Sequence, residues 1–267
     1  MSPDSYRFLQ DYVYRESGIV LDEGKHYLLD ARLTPIVKRE HLGSIDDLCV
    51  QLRQNAQPAL RQMVVDAMTT NETLFFRDPA QYDALRRTLI PAFVTQHQDT
   101  RTLAFWSAAA ASGQEAYSLA MMLLEMGLAT WNLRILGTDI STLILERART
   151  ARYLQIEVNR GLPAPYLVKY FRQQGIEWQL KDEVRKLVQF DRCDLRRPPP
   201  YGPFDIVFCR NVLIYFDDAT RRCILAGIRR TLYTGGYLLL GGAEAMLTPE
   251  AGFTRESVGP IVAYRAT

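Results

Sequence analysis

Residues 103–127 read LAFWSAAAASGQEAYSLAMMLLEMG. The stretch opens on an apolar run, Leu103-Ala104-Phe105-Trp106, and passes through seven small residues, Ser107 to Gly113. From Gln114-Glu115 onward, Leu119, Met122, Leu123 and Met126 recur at three-to-four spacing. That order predicts a strand, a tight small-residue turn and a helix. Small side chains let a backbone approach a ligand closely, and the helix behind them offers free N–H groups and a partial positive charge. The turn is not G-x-G-x-x-G, since Gly113 is its one glycine. Glu115 stands where a pyrophosphate would arrive and would repel it. The loop therefore suits a cationic or zwitterionic ligand better than a dinucleotide, although small residues at such turns also serve packing alone.

The chain has 267 residues, enough for a sizeable core in one or two domains. A net charge of +2 implies no global pull toward nucleic acid or a membrane surface. Cys49, Cys193, Cys209 and Cys223 are scattered, and with three histidines they suggest no metal site. They read as reduced thiols of a cytoplasmic protein, with no membrane-spanning run.

Residues 1–70 carry helical faces throughout, with Tyr6, Leu9, Tyr12 and Val13 first, then Leu28, Leu29, Leu33, Ile36 and Val37. Pro35 falls inside the second helix and is expected to kink or shorten it. Lys25, Arg32 and Arg39, spaced by seven, with Lys38 adjacent, form a basic stripe turned from the leucines. Such a stripe is either a solvated face or a docking surface for an anionic partner. Residues 71–100 form a connection and a first helix. Asn71, Thr73 and Arg77 place three hydrogen-bonding groups beside Phe75-Phe76, too ordered a composition for a linker. Residues 101–267 alternate strand and helix. Leu133 to Thr138 is a strand ending at Asp139, where an acid commonly meets ribose hydroxyls, although Asp139 or Ser141 also suits a helix N-cap. Residues 176–180 and 184–190 alternate in polarity and predict two antiparallel strands of an inserted patch at about 170–192. Phe204 to Cys209 is an apolar strand delivering Arg210 and Asn211 at its carboxyl end. A turn is expected over residues 233–236, and a final strand over 259–264.

Four runs, Asn71-Glu72-Thr73-x-Phe75-Phe76-Arg77, Trp106-Ser107-Ala108-Ala109-Ala110-x-Ser112-Gly113-Gln114-Glu115-x-Tyr117-Ser118, Thr138-Asp139-Ile140-Ser141 and Phe208-Cys209-Arg210-Asn211-Val212-Leu213-Ile214-Tyr215-Phe216, resemble the CheR family of chemotaxis receptor methyltransferases. The resemblance implies an all-α N-terminal domain and an α/β, Rossmann-like class I methyltransferase domain. In that domain the sheet is mostly parallel, its last strand antiparallel, and a small β-subdomain is inserted. It implies an enzyme that uses S-adenosyl-L-methionine, releases S-adenosyl-L-homocysteine and esterifies glutamate side chains on the cytoplasmic methylation helices of chemoreceptors, acting as a monomer.

Carried over by residue, Asn71, Thr73, Arg77, Glu115, Asp139, Asp194, Leu195, Arg210 and Asn211 would line the cofactor site. Arg77 and Tyr215 would position the reacting groups, and Lys25, Arg32, Lys38 and Arg39 would face the receptor. Asp194 stands where the family often has asparagine. Gly241-Gly242-Ala243-Glu244 replaces a common Gly-His-Ser-Glu. Some members dock on a receptor pentapeptide through the β-subdomain; the short turn between its strands here suggests a member that does without the tether. A glutamate is ionised at neutral pH, so no general base is expected. The alternatives are a nicotinamide-dependent dehydrogenase, disfavoured by the turn and Glu115, and a non-catalytic cofactor-binding scaffold.

Overall fold

The structure is a computed structural model that describes residues 1–22, 24–54, 57–244 and 252–267. Helices α1 (Pro3–Ser17), α2 (His26–Arg39), α3 (Ile45–Arg53) and α4 (Pro58–Met68) come first. Ser2 and Ser44 cap α1 and α3 by accepting from the N–H groups of Ser5 and Asp47, and Gly18 ends α1 with φ 79°. Leu9, Leu29, Leu33, Leu48 and Val64 bury their side chains in a core that these helices share. Pro35 sits exposed inside an α2 that is continuous from His26 to Arg39, so the expected shortening does not occur. The lost hydrogen bond falls on the solvent side, where water can satisfy the freed carbonyl.

Helices α5 (Pro79–Ala84) and α6 (Ile90–Gln96) are joined by a π turn, Leu85–Leu89, just ahead of Pro91. The sheet domain then runs β1 (Thr102–Ala108), α7 (Gln114–Glu125), β2 (Asn132–Asp139) and α8 (Thr142–Thr150). Next come β3 (Arg152–Leu154), α9 (Gln155–Val158), α10 (Ala164–Tyr170), β4 (Phe171–Gln174), β5 (Glu177–Leu180) and α11 (Asp182–Arg185). It closes with β6 (Val188–Arg192), β7 (Phe204–Cys209), α12 (Asp218–Thr231), β8 (Leu232–Leu240), β9 (Phe253–Val258) and β10 (Ile261–Ala266).

Among the described residues the main sheet has seven strands in the order β6-β2-β1-β7-β8-β10-β9. The first five are parallel, and β10 runs antiparallel to both β8 and β9. Strands β1 and β7 are buried on both faces, as apolar runs in parallel sheets should be. Leu103, Phe105, Ile206 and Phe208 pack on one face, while Ala104, Trp106, Val207 and Cys209 pack on the other. The chain builds outward from β1 through β2 to β6, then crosses to β7 on the far side of β1. That reversal opens a crevice beyond the carboxyl ends of β1 and β7, where ligands bind in doubly wound sheets.

Three sequence expectations are corrected. The segment expected as a strand over 184–190 begins instead as helix α11, with the acids Asp182 and Glu183 in its first turn and an Arg185–Asp182 ion pair at 2.9 Å. Strand β6 then starts at Val188 and joins the main sheet as the parallel neighbour of β2, not the inserted patch. The patch is a separate sheet in the order β3-β5-β4, whose hairpin turns at Gly175, φ 63°. Residues 233–236 make no clean turn. They lie within β8, where the pairing slips from Phe204↔Leu232 to Ile206↔Tyr237. The final strand is a hairpin, β9 and β10, joined through Gly259 and Pro260.

Candidate functional site

The turn after β1 sets the floor of the crevice. Ala109 and Ala111 take φ of 63° and 47°, and Gly113 takes 90°. A side chain on Gly113 would meet Phe190 at 2.9 Å. Left-handed alanines cost energy and persist only where the surroundings hold them. Here Ala110 N–H donates to Thr138 O at 2.8 Å and Ala111 N–H donates to Asp139 Oδ2 at 3.0 Å. Asp139 Oδ1 accepts from Ser141 N–H at 3.0 Å, and Ser141 itself caps α8. Asp139 is buried, and burial raises its pKa against the lowering pull of those N–H groups.

A cleft opens here, between the helical domain and the sheet domain. Asn71, Thr73, Arg77, Glu115, Asp139, Asp194, Leu195, Arg210, Asn211 and Tyr215 are brought together in its lining. Asp194 and Leu195 reach it because they follow the carboxyl end of β6 in the main sheet, a placement the strand misassignment had hidden. Ser17, Ile19, Thr69, Thr70 and Cys193 also line it and were not expected. Their common signal is position: they flank the ends of α1, α4 and β6. Lys25, Arg32, Lys38 and Arg39 lie outside the lining.

The expected cofactor residues divide by what their side chains already hold. Arg210 is spent inside the protein. Its Nη1 donates to Gln81 Oε1 at 3.0 Å, its Nη2 donates to Arg77 O at 2.8 Å, and its Nε lies 3.0 Å from Glu115 Oε2 in an off-axis ion pair. Ser107 Oγ donates to the other Glu115 oxygen at 2.6 Å. Arg210 thus orients Glu115 toward the cleft. Asp194 is likewise occupied, bonded by Arg196 through both oxygens, while Arg196 also caps the carbonyls of Arg15 and Glu16 at the end of α1. By contrast, the Arg77 guanidinium has no ion-pair or hydrogen-bond partner among the described residues. Asn211 Oδ1 is buried with no donor among the described residues. An orphaned acceptor and an unpaired cation in one cleft are groups that await a ligand.

Asn211 owes its place to a residue that sequence reasoning had set aside. Asn211 adopts φ 59°, and the buried carboxylate of Glu244 accepts N–H groups from Asn211 at 2.5 Å, Leu213 at 2.7 Å and Gly241 at 3.0 Å. Glu244 therefore clamps the loop from Arg210 to Tyr215, and the Tyr215 carbonyl in turn accepts from Val20 N–H of the helical domain at 2.9 Å. The Glu244→Gln variant turns an amide donor toward these N–H groups. It is expected to lower unfolding free energy by about 2 kcal/mol in urea titration; unchanged stability would remove the clamp role.

The Cys193 thiol is pushed up to about 12 by burial and then by Asp194, and Cys209 is raised well above its usual range. Among the described residues no cluster could hold a metal ion, and no helix is long and apolar enough to cross a membrane.

Comparison with known proteins fits this geometry. The family model described as CheR methyltransferase, SAM binding domain, matches residues 71–259, and CheR methyltransferase, all-alpha domain, matches residues 4–69. The chain is 37% identical over 275 residues to chemotaxis protein methyltransferase Cher2 of Pseudomonas putida, covering 100% of both. It is 37% identical to chemotaxis protein methyltransferase 1 of Pseudomonas aeruginosa, covering 98% of this chain and 97% of that one. It is also 37% identical to the chemotaxis protein methyltransferase of Vibrio parahaemolyticus, covering 99% and 98%. With an S-adenosylmethionine-binding domain matched from the Asn71 motif onward and an all-α domain ahead of it, the chain belongs to the CheR methyltransferase family.

Proposed function

We propose that this protein methylates glutamate side chains of chemoreceptors, using S-adenosyl-L-methionine and forming glutamyl methyl esters. The unpaired Arg77 guanidinium carries this reading. It stands in a cleft that also carries two acids, Glu115, held by Arg210 and Ser107, and Asp139, whose oxygens accept backbone N–H groups. The acids suit a zwitterionic, cationic cofactor: Glu115 faces its amino group and Asp139 its ribose hydroxyls. Asn211 Oδ1 is a further acceptor for it. Arg77 and Tyr215 hold the incoming carboxylate. When bound, the cofactor would supply a methyl group on a sulfonium, with its thioether as the leaving group for the incoming carboxylate oxygen. The protein contributes alignment and a partly desolvated approach, and no proton needs to move. The protonated Cys193 and Cys209 are consistent with a site that holds no covalent intermediate.

Lys38 and Arg39, exposed at the end of α2, with Arg39 in a solvent-exposed pair with Glu40 at 3.7 Å, are the charges placed to meet the acidic methylation region of a receptor, with the protein acting as a monomer. The turn at residues 181–183 that suggested independence from a C-terminal receptor tether is instead the start of α11, and the short β4–β5 hairpin at Gly175 is the ground on which that independence is proposed. The test is titration calorimetry followed by transfer of a labelled methyl group. S-adenosylhomocysteine is expected to bind at micromolar concentration and NAD not at all. Base-labile label is expected on receptor cytoplasmic fragments, equally with and without their last five residues. Cofactor binding without transfer to any receptor fragment would sink the enzymatic reading in favour of a scaffold.

A further inference from the structure

Arg32 belongs to a stripe that charge and spacing assign to the surface, yet its guanidinium is half-buried against the end of α4. Its Nη1 donates to Met68 O at 2.8 Å, to Thr69 O at 3.1 Å and to Ala67 O at 3.4 Å, and its Nη2 donates to Thr70 Oγ1 at 3.1 Å. Those carbonyls are the ones α4 leaves unpaired at its carboxyl end, where a cation is also favoured by the helix dipole. The neighbouring charges differ. Lys38 and Arg39 are exposed, and Lys25 precedes α2 in an exposed pair with Asp22.

What Arg32 fastens is the start of a strap. Residues 69–73, and then Arg77, line the cleft one after another. The far end of this strap is anchored in the sheet domain. Phe75 is fully buried, its ring centroid 5.0 Å from that of Tyr153 and 5.7 Å from that of Phe171. Phe76 N–H donates to Ser118 Oγ at 3.0 Å. A Cβ at Gly161 would lie 2.0 Å from Phe75 O, so the backbone is closely wrapped there as well. Asn71 and Thr73 sit between these two fixed points. Loosening either end frees their side chains and Arg77 to leave the cleft wall.

We propose that Arg32 is a positioning residue for the cofactor and not a receptor contact: from α2 it locks the cleft wall that carries Asn71, Thr73 and Arg77. This rests on the cleft being the cofactor site. A planar fork is needed, because one lysine ammonium does not reach three carbonyls and a hydroxyl in this geometry.

The experiment uses the full chain and compares wild type with Arg32→Met, Arg32→Lys, Lys38→Ala and Arg39→Ala. S-adenosylhomocysteine affinity is read by calorimetry, and steady-state methylation of a receptor fragment is read alongside. Arg32→Met is expected to raise the dissociation constant, and the KM for S-adenosylmethionine, about tenfold. Its kcat at saturating cofactor should fall as well, because Arg77 moves with the strap, so the cofactor dissociation constant and KM are the deciding readouts. A general folding defect would lower kcat by reducing the active fraction and leave the cofactor KM alone. Arg32→Lys should fall between Arg32→Met and wild type. Lys38→Ala and Arg39→Ala should leave cofactor affinity unchanged and raise the receptor KM. If Arg32→Met does not fold, Arg32→Lys decides on the same measurements. Unchanged cofactor affinity in folded Arg32 variants overturns the proposal, most directly if receptor KM rises instead. Wild type that fails to bind S-adenosylhomocysteine overturns both this proposal and the functional reading beneath it.

Discussion

Replacing Arg210 with methionine is expected to lower the melting temperature by about 10 °C and to abolish methyl transfer. The Arg210 side chain is 2% exposed and faces Glu115, 13% exposed, at 3.0 Å, with Asp78 at 3.5 Å. Removing one partner of a buried pair leaves the other charge desolvated and uncompensated, at a cost of about 3–5 kcal/mol. For a chain of this length, each kcal/mol corresponds to roughly 2–4 °C. Methionine fills a similar volume, so the loss is electrostatic and not a cavity. The same arginine holds Gln81, whose amide donates to Leu240 O at 2.8 Å, and the Arg77 carbonyl. The ends of β7 and β8 and the start of α5 are thus tied to one guanidinium, so their relative positions loosen together. The double variant Arg210→Met/Glu115→Gln removes the stranded charge and is expected to recover part of the lost stability, though not the activity. Thermal unfolding followed by circular dichroism checks both. A fall of less than about 2 °C in the single variant would show that the pair is not a structural tie.

The sequence exposes most of this site because the chemistry sits at strand ends. Apolar runs such as residues 103–106 and 206–209 are readable from composition, and the polar residue that ends each run falls at the sheet's carboxyl edge by topology alone. Asp139, Arg210 and Asn211 are legible for that reason, and so is the Ser107-to-Gly113 turn. Other features depend on partners far along the chain, and no local pattern reveals them. Arg32 reads as one of a row of surface charges, since its acceptors at Ala67, Met68 and Thr69 are backbone carbonyls that carry no side-chain signal. Glu244 meets N–H groups some thirty positions earlier in the chain. Strand β6 alternates like a half-buried strand in either sheet; only its parallel register with β2 decides where it belongs. Asp194 enters the cleft reading through the family resemblance alone, and its hold by Arg196 has no local signal.

Asp139 offers a test in which stability and ligand affinity move in opposite directions with pH. Each of its oxygens accepts one backbone N–H, from Ala111 or Ser141, which leaves lone pairs for hydroxyl donors on the cleft side. Burial raises its pKa above the ordinary carboxylate value of about 3.9. A raised folded-state pKa means that Asp139's contribution to stability is fully present below the unfolded pKa. It is lost as pH climbs through the folded value. The free protein therefore bears a cost for ionising Asp139 near neutrality. The ionised form is nonetheless the better acceptor, so two ribose hydroxyls would offset that cost on binding. S-adenosylhomocysteine affinity is accordingly expected to fall as pH is lowered from neutrality through the raised pKa, while the free protein gains a little stability from this group. Asp139→Asn turns an amide donor toward one of the two N–H groups and cannot ionise. It is expected to weaken binding on the order of a hundredfold and to remove this group's share of the pH dependence. Calorimetric titrations of both proteins across pH 5 to 8 (a window above the ordinary carboxylate pKa) measure the two effects together. Equal affinity in the asparagine variant, or parallel pH profiles, would take the ribose away from Asp139 and leave it as the acid that shapes the Ala111 turn.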